Sequence, residues 1–332
     1  MMTPKALVHR LLTLVALVGA LGAPAGCASE RARGSAPKAH AGAPSSPSAQ
    51  ALQSPRAHFA VIGDFGKSGL PEQQVADLVH SWQPEFIVTL GDNNYPNGCQ
   101  QTIDANIGQY YGAYIRAKKG AKSQYAKSEQ QRFFPCLGNH DWRAPGAKPY
   151  LDYFDLPGNG RYYQITRGPV AFFIIDSDPH EPDGIDAHGA QGQWLKGALA
   201  DATAPWKVVI LHHPPYSSGR HGSNTWMQWP YKAWGAHLVM GGHDHTYEHI
   251  VMEDLHYIVM GLSGASKDAF RVACALPNAQ HDSCYDGNYG ALEAEASATE
   301  LTLRMTTIDG RVHDTVTLRR PGAAPGAPSA AN

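Results

Sequence analysis

Short runs of apolar residues recur along the chain from residue 58 onward, and most of them end at Gly, Asp, Asn or His. Runs of this length, rich in Val, Ile and Phe, are typical of buried strands. The pattern predicts strands over 58–62, 86–90, 133–137, 170–175, 206–211, 238–240 and 255–260. Pro135 interrupts the third run, so we do not expect that strand at the centre of a sheet.

Between several of these runs, apolar residues return at helical spacing instead. Val75 and Val79 share one face after Pro71, a residue that is common in the first turn of a helix. Two more helical faces are predicted within 103–115 and 194–199. Strands that alternate with helices are typical of an α/β fold.

The C-terminal part changes to strict alternation of apolar and polar residues. The alternation covers 292–296, 301–305 and, less strictly, 312–318, and Asp309-Gly310 between the last two segments is a hairpin-turn sequence. We therefore expect an antiparallel ending on a chain that began with alternating strands and helices. A core of two sheets flanked by helices fits this order of elements.

Length and charge narrow the class of protein. Of the 332 residues, roughly 260 remain once the polar ends are set aside, which suits one large domain or two small ones. The formal net charge of −2 gives no reason to expect nucleic acid or an anionic membrane surface as a partner. The sequence carries no readable signal of oligomeric state.

The N-terminus is predicted to be a signal peptide over residues 1–27. Lys5 and Arg10 precede an apolar stretch at 11–21 that is too short to span a bilayer. Cys27 follows Ala25-Gly26 and resembles the lipidated Cys of a bacterial lipoprotein, and cleavage after Ala25 is the alternative. Both interpretations predict export, to the periplasm, to the cell surface or out of the cell, with membrane contact only through such a lipid anchor.

The flanking segments predict the domain boundaries. Residues 28–56 and 321–332 are rich in Ala, Pro, Ser and Gly and hold little that could be buried. We predict a disordered linker over 28–56, a single folded domain over 57–320 and a disordered tail over 321–332.

Export to an oxidising compartment allows four of the five cysteines to pair. Cys274 and Cys284 are close in sequence, so a disulfide between them is the leading prediction. Cys99 would then pair with Cys136. Four cysteines allow three pairings, and the sequence does not choose among them.

Five predicted strand ends carry residues that bind metals. They are Gly63-Asp64-Phe65-Gly66, Gly91-Asp92-Asn93-Asn94-Tyr95, Gly138-Asn139-His140-Asp141, Val209-Ile210-Leu211-His212 and Gly241-Gly242-His243-Asp244-His245. In open α/β sheets, ligands bind outside the carboxyl ends of the strands, so these loops are expected to converge. Oxygen and imidazole donors without a thiolate suit iron, manganese or zinc. Two ions that share a carboxylate would account for seven donors, and such pairs are common in phosphoester hydrolysis.

These five blocks, in this order from Asp64 to His245, resemble the metallophosphoesterase (calcineurin-like) superfamily, and more closely its purple acid phosphatase branch. The first block, Asp64-Phe65-Gly66, stands where most calcineurin-like relatives have Asp-x-His. The second block places Tyr95 where that branch has a phenolate ligand. The resemblance implies a four-layer α-β-β-α sandwich of two mixed sheets flanked by helices.

The resemblance also implies a role for each candidate residue. Asp64, Tyr95 and His245 would bind Fe(III), and Asp92 would bridge it to the second ion. Asn139, His212 and His243 would bind that second, divalent ion, which is Fe, Zn or Mn across the family. The catalytic residues would be His140 and His221, which would bind phosphate oxygens and protonate the leaving alkoxide.

The implied function is an exported acid phosphatase that hydrolyses small phosphomonoesters by attack of a hydroxide held by the two metal ions. A manganese or zinc phosphodiesterase, or a nucleotide hydrolase of the same superfamily, is the alternative. A third hypothesis, from another class, is an adhesion or phosphate-sensing module that retains the fold.

Residues near the ligand loops allow two interpretations each. Trp226, Trp229, Tyr231 and Trp234 lie between two ligand loops and would either wall a substrate pocket or pack in the core. His213 is expected to be structural or to support the ligands from behind, and Asp141 to orient its neighbours.

Overall fold

The computed structural model describes residues 55–270 and 274–320. The predicted signal peptide, the predicted tail and all but the last two residues of the predicted linker lie outside the described residues. No helix in the described part of the chain is long and apolar enough to cross a membrane.

Thirteen strands are present in the described residues, and they form two sheets. In chain order they are β1 (Ala57–Ile62), β2 (Phe86–Thr89), β3 (Phe133–Phe134), β4 (Tyr163–Arg167), β5 (Val170–Ile174), β6 (Trp206–Ile210), β7 (Leu238–Gly241), β8 (Tyr247–Met252), β9 (Leu255–Met260), β10 (Gln280–Tyr285), β11 (Gly290–Ala296), β12 (Glu300–Thr307) and β13 (Val312–Arg319). The helices are α1 (Leu70–Trp82), α2 (Gln100–Ile103), α3 (Gln109–Tyr111), α4 (Asn139–Trp142), α5 (Lys148–Tyr153) and α6 (Ala190–Asp201).

Both sheets are mixed. The six-stranded sheet has the order β13-β12-β11-β1-β2-β3, in which β1, β2 and β3 are parallel and the last three strands of the chain are antiparallel. The seven-stranded sheet has the order β10-β8-β9-β7-β6-β5-β4, with a parallel centre formed by β5, β6, β7 and β9.

The described part of the chain has four layers, and one apolar cluster lies between each pair of neighbouring layers. The largest lies between the two sheets, where Phe59 of β1 stacks on Phe86 of β2 at 5.1 Å and meets the edge of Phe172 of β5 at 5.2 Å. The second cluster packs α1 and the 100–115 segment on the outer face of the six-stranded sheet. The third packs α6 and the 227–236 loop on the outer face of the other sheet. The four-layer α-β-β-α sandwich is therefore confirmed.

Each of the ten predicted strands is present, although some differ in length or position from the prediction. β3 has only two residues and lies at the edge of its sheet, as Pro135 led us to expect; the Pro135 carbonyl accepts hydrogen bonds from Tyr150 and Tyr163 instead. The predicted helix within 103–115 is broken into α2, a π-helical turn at Asp104–Gly108 and α3. The sequence did not predict β4, β8 and β10.

One of the two predicted disulfides is correct. Cys274 and Cys284 are bonded, but the predicted Cys99–Cys136 pair is wrong, and both thiols are free. Cys136 is fully buried between the sheets, where its Sγ lies 3.4 Å from the Ile175 carbonyl oxygen. Cys99 precedes α2 and its Sγ lies near the Asn97 carbonyl oxygen at 3.7 Å. The strand direction at Cys136 turns its thiol into the core, away from the loop that carries Cys99.

Glu72 is a fully buried carboxylic acid in the first turn of α1. Neither of its carboxyl oxygens has a hydrogen-bond partner within the residues that the structure describes, and the same holds for the Tyr111 hydroxyl. Burial raises the pKa of Glu72 well above its ordinary value of 4.5. The folded protein therefore retains a proton that the unfolded chain releases above about pH 4.5, so Glu72 costs stability as the pH rises past that value.

We expect Glu72→Gln to raise the thermal midpoint at neutral pH and to leave it nearly unchanged below pH ~4, because an amide needs no proton to stay neutral. Thermal unfolding between pH 4 and 8 measures this, with the exposed Glu85→Gln as the control. A midpoint difference that does not grow with pH would contradict the assignment.

Candidate metal centre

The five predicted loops meet at one edge of the sandwich, where the carboxyl ends of β1, β2, β6 and β7 lie together. Contacts across the two sheets hold them there. The Nδ1 of His212, which follows β6, lies 2.8 Å from the Leu90 carbonyl oxygen after β2. The backbone N–H of His243, after β7, donates to Asp64 Oδ2, after β1, at 2.9 Å. Each loop of one sheet is thus positioned by a loop of the other.

Three candidate ligands have an unusual backbone conformation. Asp64, Asp92 and His243 have φ angles of 54°, 53° and 70°. Residues other than glycine rarely adopt this left-handed region, and such conformations concentrate at functional sites. The conformation lets each side chain turn back over the end of its own strand.

Two glycines permit the close approach of the loops. A Cβ atom on Gly138 would lie 2.3 Å from Asp92 Oδ1, and one on Gly242 would lie 2.4 Å from Asp64 Oδ2. These distances are shorter than any non-bonded contact, so a larger residue at either position would displace a candidate ligand.

A first group of donors surrounds the hydroxyl of Tyr95. This oxygen lies 3.0 Å from Asp92 Oδ2, 3.2 Å from Asp64 Oδ1 and 3.2 Å from His245 Nε2. His245 Nε2 is itself 3.3 Å from Asp64 Oδ1. A phenol has one proton to donate and cannot satisfy both carboxylates, so a cation among these oxygens would be stabilised.

A second group of donors surrounds Nε2 of His212. This atom lies 3.1 Å from Asn139 Oδ1, 3.3 Å from His243 Nδ1 and 3.4 Å from Asp92 Oδ1. Nδ1 of His212 faces a backbone carbonyl and must donate its proton there. A neutral Nε2 would point its lone pair at oxygen lone pairs, so either a proton on Nε2 or a cation between these atoms makes the arrangement favourable.

Asp92 belongs to both groups. Its Oδ2 faces Tyr95 and its Oδ1 faces His212, so one carboxylate connects the two clusters of donors. The structure places Tyr95, Asp64 and His245 on one side of Asp92, and His212, Asn139 and His243 on the other. Asp64, Asp92 and His212 also have candidate ligand atoms within 4.8 Å of one another.

The charge of the site also favours cation binding. Asp64 and Asp92 are buried, and their ion pairs in the described chain are with histidines, with no Lys or Arg among them. Burial opposes a charge on His212, but the carboxylates of Asp92 and Asp64 outweigh it and raise the pKa of His212 to about 10. Burial, together with the same two carboxylates, raises the pKa of Tyr95 well above its ordinary value. The site recruits positive charge, and its oxygen and imidazole donors fit two cations.

The two predicted catalytic histidines flank these donors. The ring of His140 lies 4.2 Å from the ring of Tyr95, and its Nε2 is 3.9 Å from Asp92 Oδ2. Nδ1 of His140 faces the Pro96 carbonyl oxygen at 2.6 Å, which directs Nε2 to the site. The ring of His221 lies 4.3 Å from the ring of His243. One imidazole therefore stands beside each group of donors.

Several supporting residues were not predicted. Asp244 accepts hydrogen bonds from the backbone N–H of His221 and from Ser217 Oγ, both at 2.6 Å, and so holds the His221 loop on the His243-Asp244-His245 turn. Ser266 lies 2.5 Å from Nδ1 of His245. Asp141 accepts from the N–H groups of Asn93 and Gly138, as its predicted orienting role requires. The position of Asp244 between two candidate ligands was the signal that could have revealed it.

His213 lies directly behind the donors, against a candidate ligand. Its ring is 4.4 Å from the ring of His243, and its Nδ1 contacts Ser177 Oγ at 2.9 Å. Burial, and then the charge of His212, lower the pKa of His213 to about 3, so it is a neutral imidazole. His212, His213 and His243 form a further set of mutually close donor atoms.

Comparison with known proteins finds similar chains among phosphatases. The model of the calcineurin-like phosphoesterase family matches residues 57–247. Purple acid phosphatase 17 of Arabidopsis thaliana is 29% identical over 244 residues, which cover 64% of this chain and 69% of that protein. Human tartrate-resistant acid phosphatase type 5 is 22% identical over 300 residues, covering 77% of this chain and 89% of that protein.

Two solved structures share the fold. Purple acid phosphatase PPD1 from yellow lupin seeds superposes with a TM-score of 0.63 and 17% identity, covering 84% of this chain and 58% of that chain. GAP50, described as the anchor in the inner membrane complex of Plasmodium, superposes with a TM-score of 0.59 and 18% identity, covering 80% of this chain and 89% of that chain. The same fold thus occurs in a phosphatase and in an anchor.

We expect removal of bound cations with a chelator to lower the thermal midpoint and their return to restore it, because cations that bind only the folded state stabilise it by about 2.7 kcal/mol at 100 times the dissociation constant. Asp92→Asn should reduce this shift strongly. Asp314→Asn is the matched control, because the Asp314 carboxylate accepts a hydrogen bond from the Tyr247 hydroxyl and is not among the candidate ligands. If the chelator lowered the thermal midpoint of Asp92→Asn as much as that of the wild type, Asp92 would not be a ligand of the cations.

Proposed function

The chain belongs to the calcineurin-like phosphoesterase family, and we propose that it is an exported phosphatase of the purple acid type that hydrolyses phosphomonoesters at a centre of two metal ions. The observation that carries the proposal is the position of Asp92, whose two oxygens face two separate groups of donors. The similarity to purple acid phosphatase 17 and to tartrate-resistant acid phosphatase type 5 supports the same reaction.

We assign the ligands by these groups. Asp64, Tyr95 and His245 would hold Fe(III), since carboxylate and phenolate oxygens favour a hard ion. Asn139, His212 and His243 would hold a divalent ion, which is iron, zinc or manganese. Asp92, which faces both groups of donors, would hold both ions. When bound, the two cations would neutralise the phosphate and lower the pKa of water at the site.

The residues of the chain then position the substrate and move the proton. His140 and His221 stand on either side of the donors, where their imidazoles can donate to phosphate oxygens. One of them in its protonated form would give its proton to the leaving alkoxide. The carbonyl of Pro96 keeps Nε2 of His140 directed to the site for that purpose. No nucleophilic side chain of the protein is required, so we expect inversion at phosphorus.

Two other functions remain as alternatives to be tested. A phosphodiesterase of the same family could use the same ligands with a wider pocket. A binding module without catalysis is the second alternative, since GAP50 has this fold and is described as an anchor. The full set of seven convergent donors favours the enzyme, because an anchor needs no such buried, charge-deficient cluster.

Purified protein loaded with iron should absorb visible light through phenolate-to-iron charge transfer, and Tyr95→Phe should abolish the band. Tyr162→Phe, in a tyrosine that bonds Asp183 outside the site, should leave the colour unchanged. A colourless, iron-free wild-type enzyme with full activity would refute the ferric assignment.

Asn139→Ala should lower kcat/KM for a nitrophenyl monoester by at least roughly 100-fold, the upper range seen for residues that only support a ligand. The wild type should prefer that monoester to the corresponding diester across the acidic pH range. Asn288→Ala, outside the site, is the control. Preference for the diester would favour the phosphodiesterase, and hydrolysis unaffected by Asn139→Ala would assign the activity to a contaminant.

A further inference from the structure

The aromatic residues between two ligand loops divide into two kinds. Trp229 and Tyr231 are 5% and 1% exposed and pack in the core on the outer face of the seven-stranded sheet. Trp226 is 42% exposed, which is unusual for the largest apolar side chain. Packing in the core accounts for the positions of Trp229 and Tyr231. It does not account for the exposure of the Trp226 indole.

The position of Trp226 is fixed from several sides. Its indole Nε1–H donates to the Ser177 carbonyl oxygen at 3.3 Å. Its own carbonyl accepts from Nε1–H of Trp229 at 2.8 Å, and its neighbour Met227 is fully buried. Asn224, just before the turn, donates from Nδ2 to the Pro214 carbonyl oxygen at 2.9 Å. The exposed ring is therefore held in place and does not depend on a flexible loop.

Trp226 is connected to the metal donors by a row of rings. Its ring centroid lies 6.0 Å from that of His213, and the His213 ring lies 4.4 Å from that of His243. Ser177 fixes the first two rings of this row, because its carbonyl accepts from Trp226 and its Oγ contacts Nδ1 of His213 at 2.9 Å. An exposed aromatic surface thus stands one imidazole away from a proposed metal ligand.

We propose that Trp226 is a specificity-determining residue that stacks on the leaving group, so that the preferred substrates are phosphomonoesters carrying a flat aromatic or heteroaromatic ring. This inference rests on the proposed function, since it places the phosphate at the metal centre. The indole N–H is already bonded to Ser177, so the surface left for a ligand is the apolar ring. Such surfaces prefer flat rings, and an aromatic pair contributes beyond simple burial of area.

The test compares benzyl phosphate with cyclohexylmethyl phosphate. Both release an alkoxide from a CH₂ group and carry a six-membered carbon ring, so they differ mainly in flatness. We expect the wild type to favour benzyl phosphate in kcat/KM by roughly tenfold, the order expected for one aromatic stack. Trp226→Ala should bring the ratio close to one, and Trp226→Phe should keep most of the preference.

Trp194→Ala is the matched control, because Trp194 packs on Tyr162 in another part of the molecule and its loss should not alter the ratio. A wild type without preference, or a preference that survives Trp226→Ala, would overturn the inference while hydrolysis of both esters keeps the phosphatase assignment. Hydrolysis of neither ester would refute the proposed function, and this inference with it.

Discussion

The burial of two carboxylates without a matching Lys or Arg is the constraint around which this molecule is arranged. Asp64 and Asp92 are almost entirely removed from water, and their charged partners in the described chain are histidines. Burying a charge without a partner costs free energy of folding. Positive charge at the site reduces that cost. The raised pKa of His212 is the response of the protein alone to this demand, and bound cations would answer it more fully.

The same place also joins the two halves of the sandwich. Apart from the packing of the inter-sheet core, the sheets are connected here by polar contacts, from His212 to the Leu90 carbonyl and from His243 to Asp64. Strained backbone at Asp64, Asp92 and His243 accompanies these contacts. The stability of the fold and the geometry of the site are therefore coupled, because a substitution that displaces one ligand loop also breaks a contact between the two sheets.

The family fold does not by itself decide what such a protein does, as the likeness to both a phosphatase and an anchor illustrates. The proposed reaction rests on the donors at the strand ends, and the proposed substrate preference rests on the loops around them. In this chain the loop after His212 brings His213 beside the donors and Trp226 beside His213, and Ser177 from a different strand end holds both. Specificity of this kind arises from contacts between loops that lie far apart in sequence.

Much of the fold and most of the site could be predicted from the sequence, because their signals are local. Apolar runs that end in Gly-Asp or Gly-His revealed the parallel strands, and the carboxyl-end rule brought Asp64, Asp92, Asn139, His212, His243 and His245 together. β10 escaped prediction because most of its residues are polar, and β8 because Glu248 and His249 interrupt its apolar residues. β8 pairs with β9, and β10 pairs with β8 at the edge of the seven-stranded sheet.

The sequence by itself determined the residue types of the site and the positions of most strands along the chain, since both depend on neighbouring residues. Tertiary structure alone decided which thiols meet, which oxygen of Asp92 faces which donors, and which tryptophan stays exposed. Those outcomes depend on the direction of side chains across a packed interior. Residues such as Cys99 and Cys136, or Trp226 and Ser177, carry no local signal of the distance that will separate them.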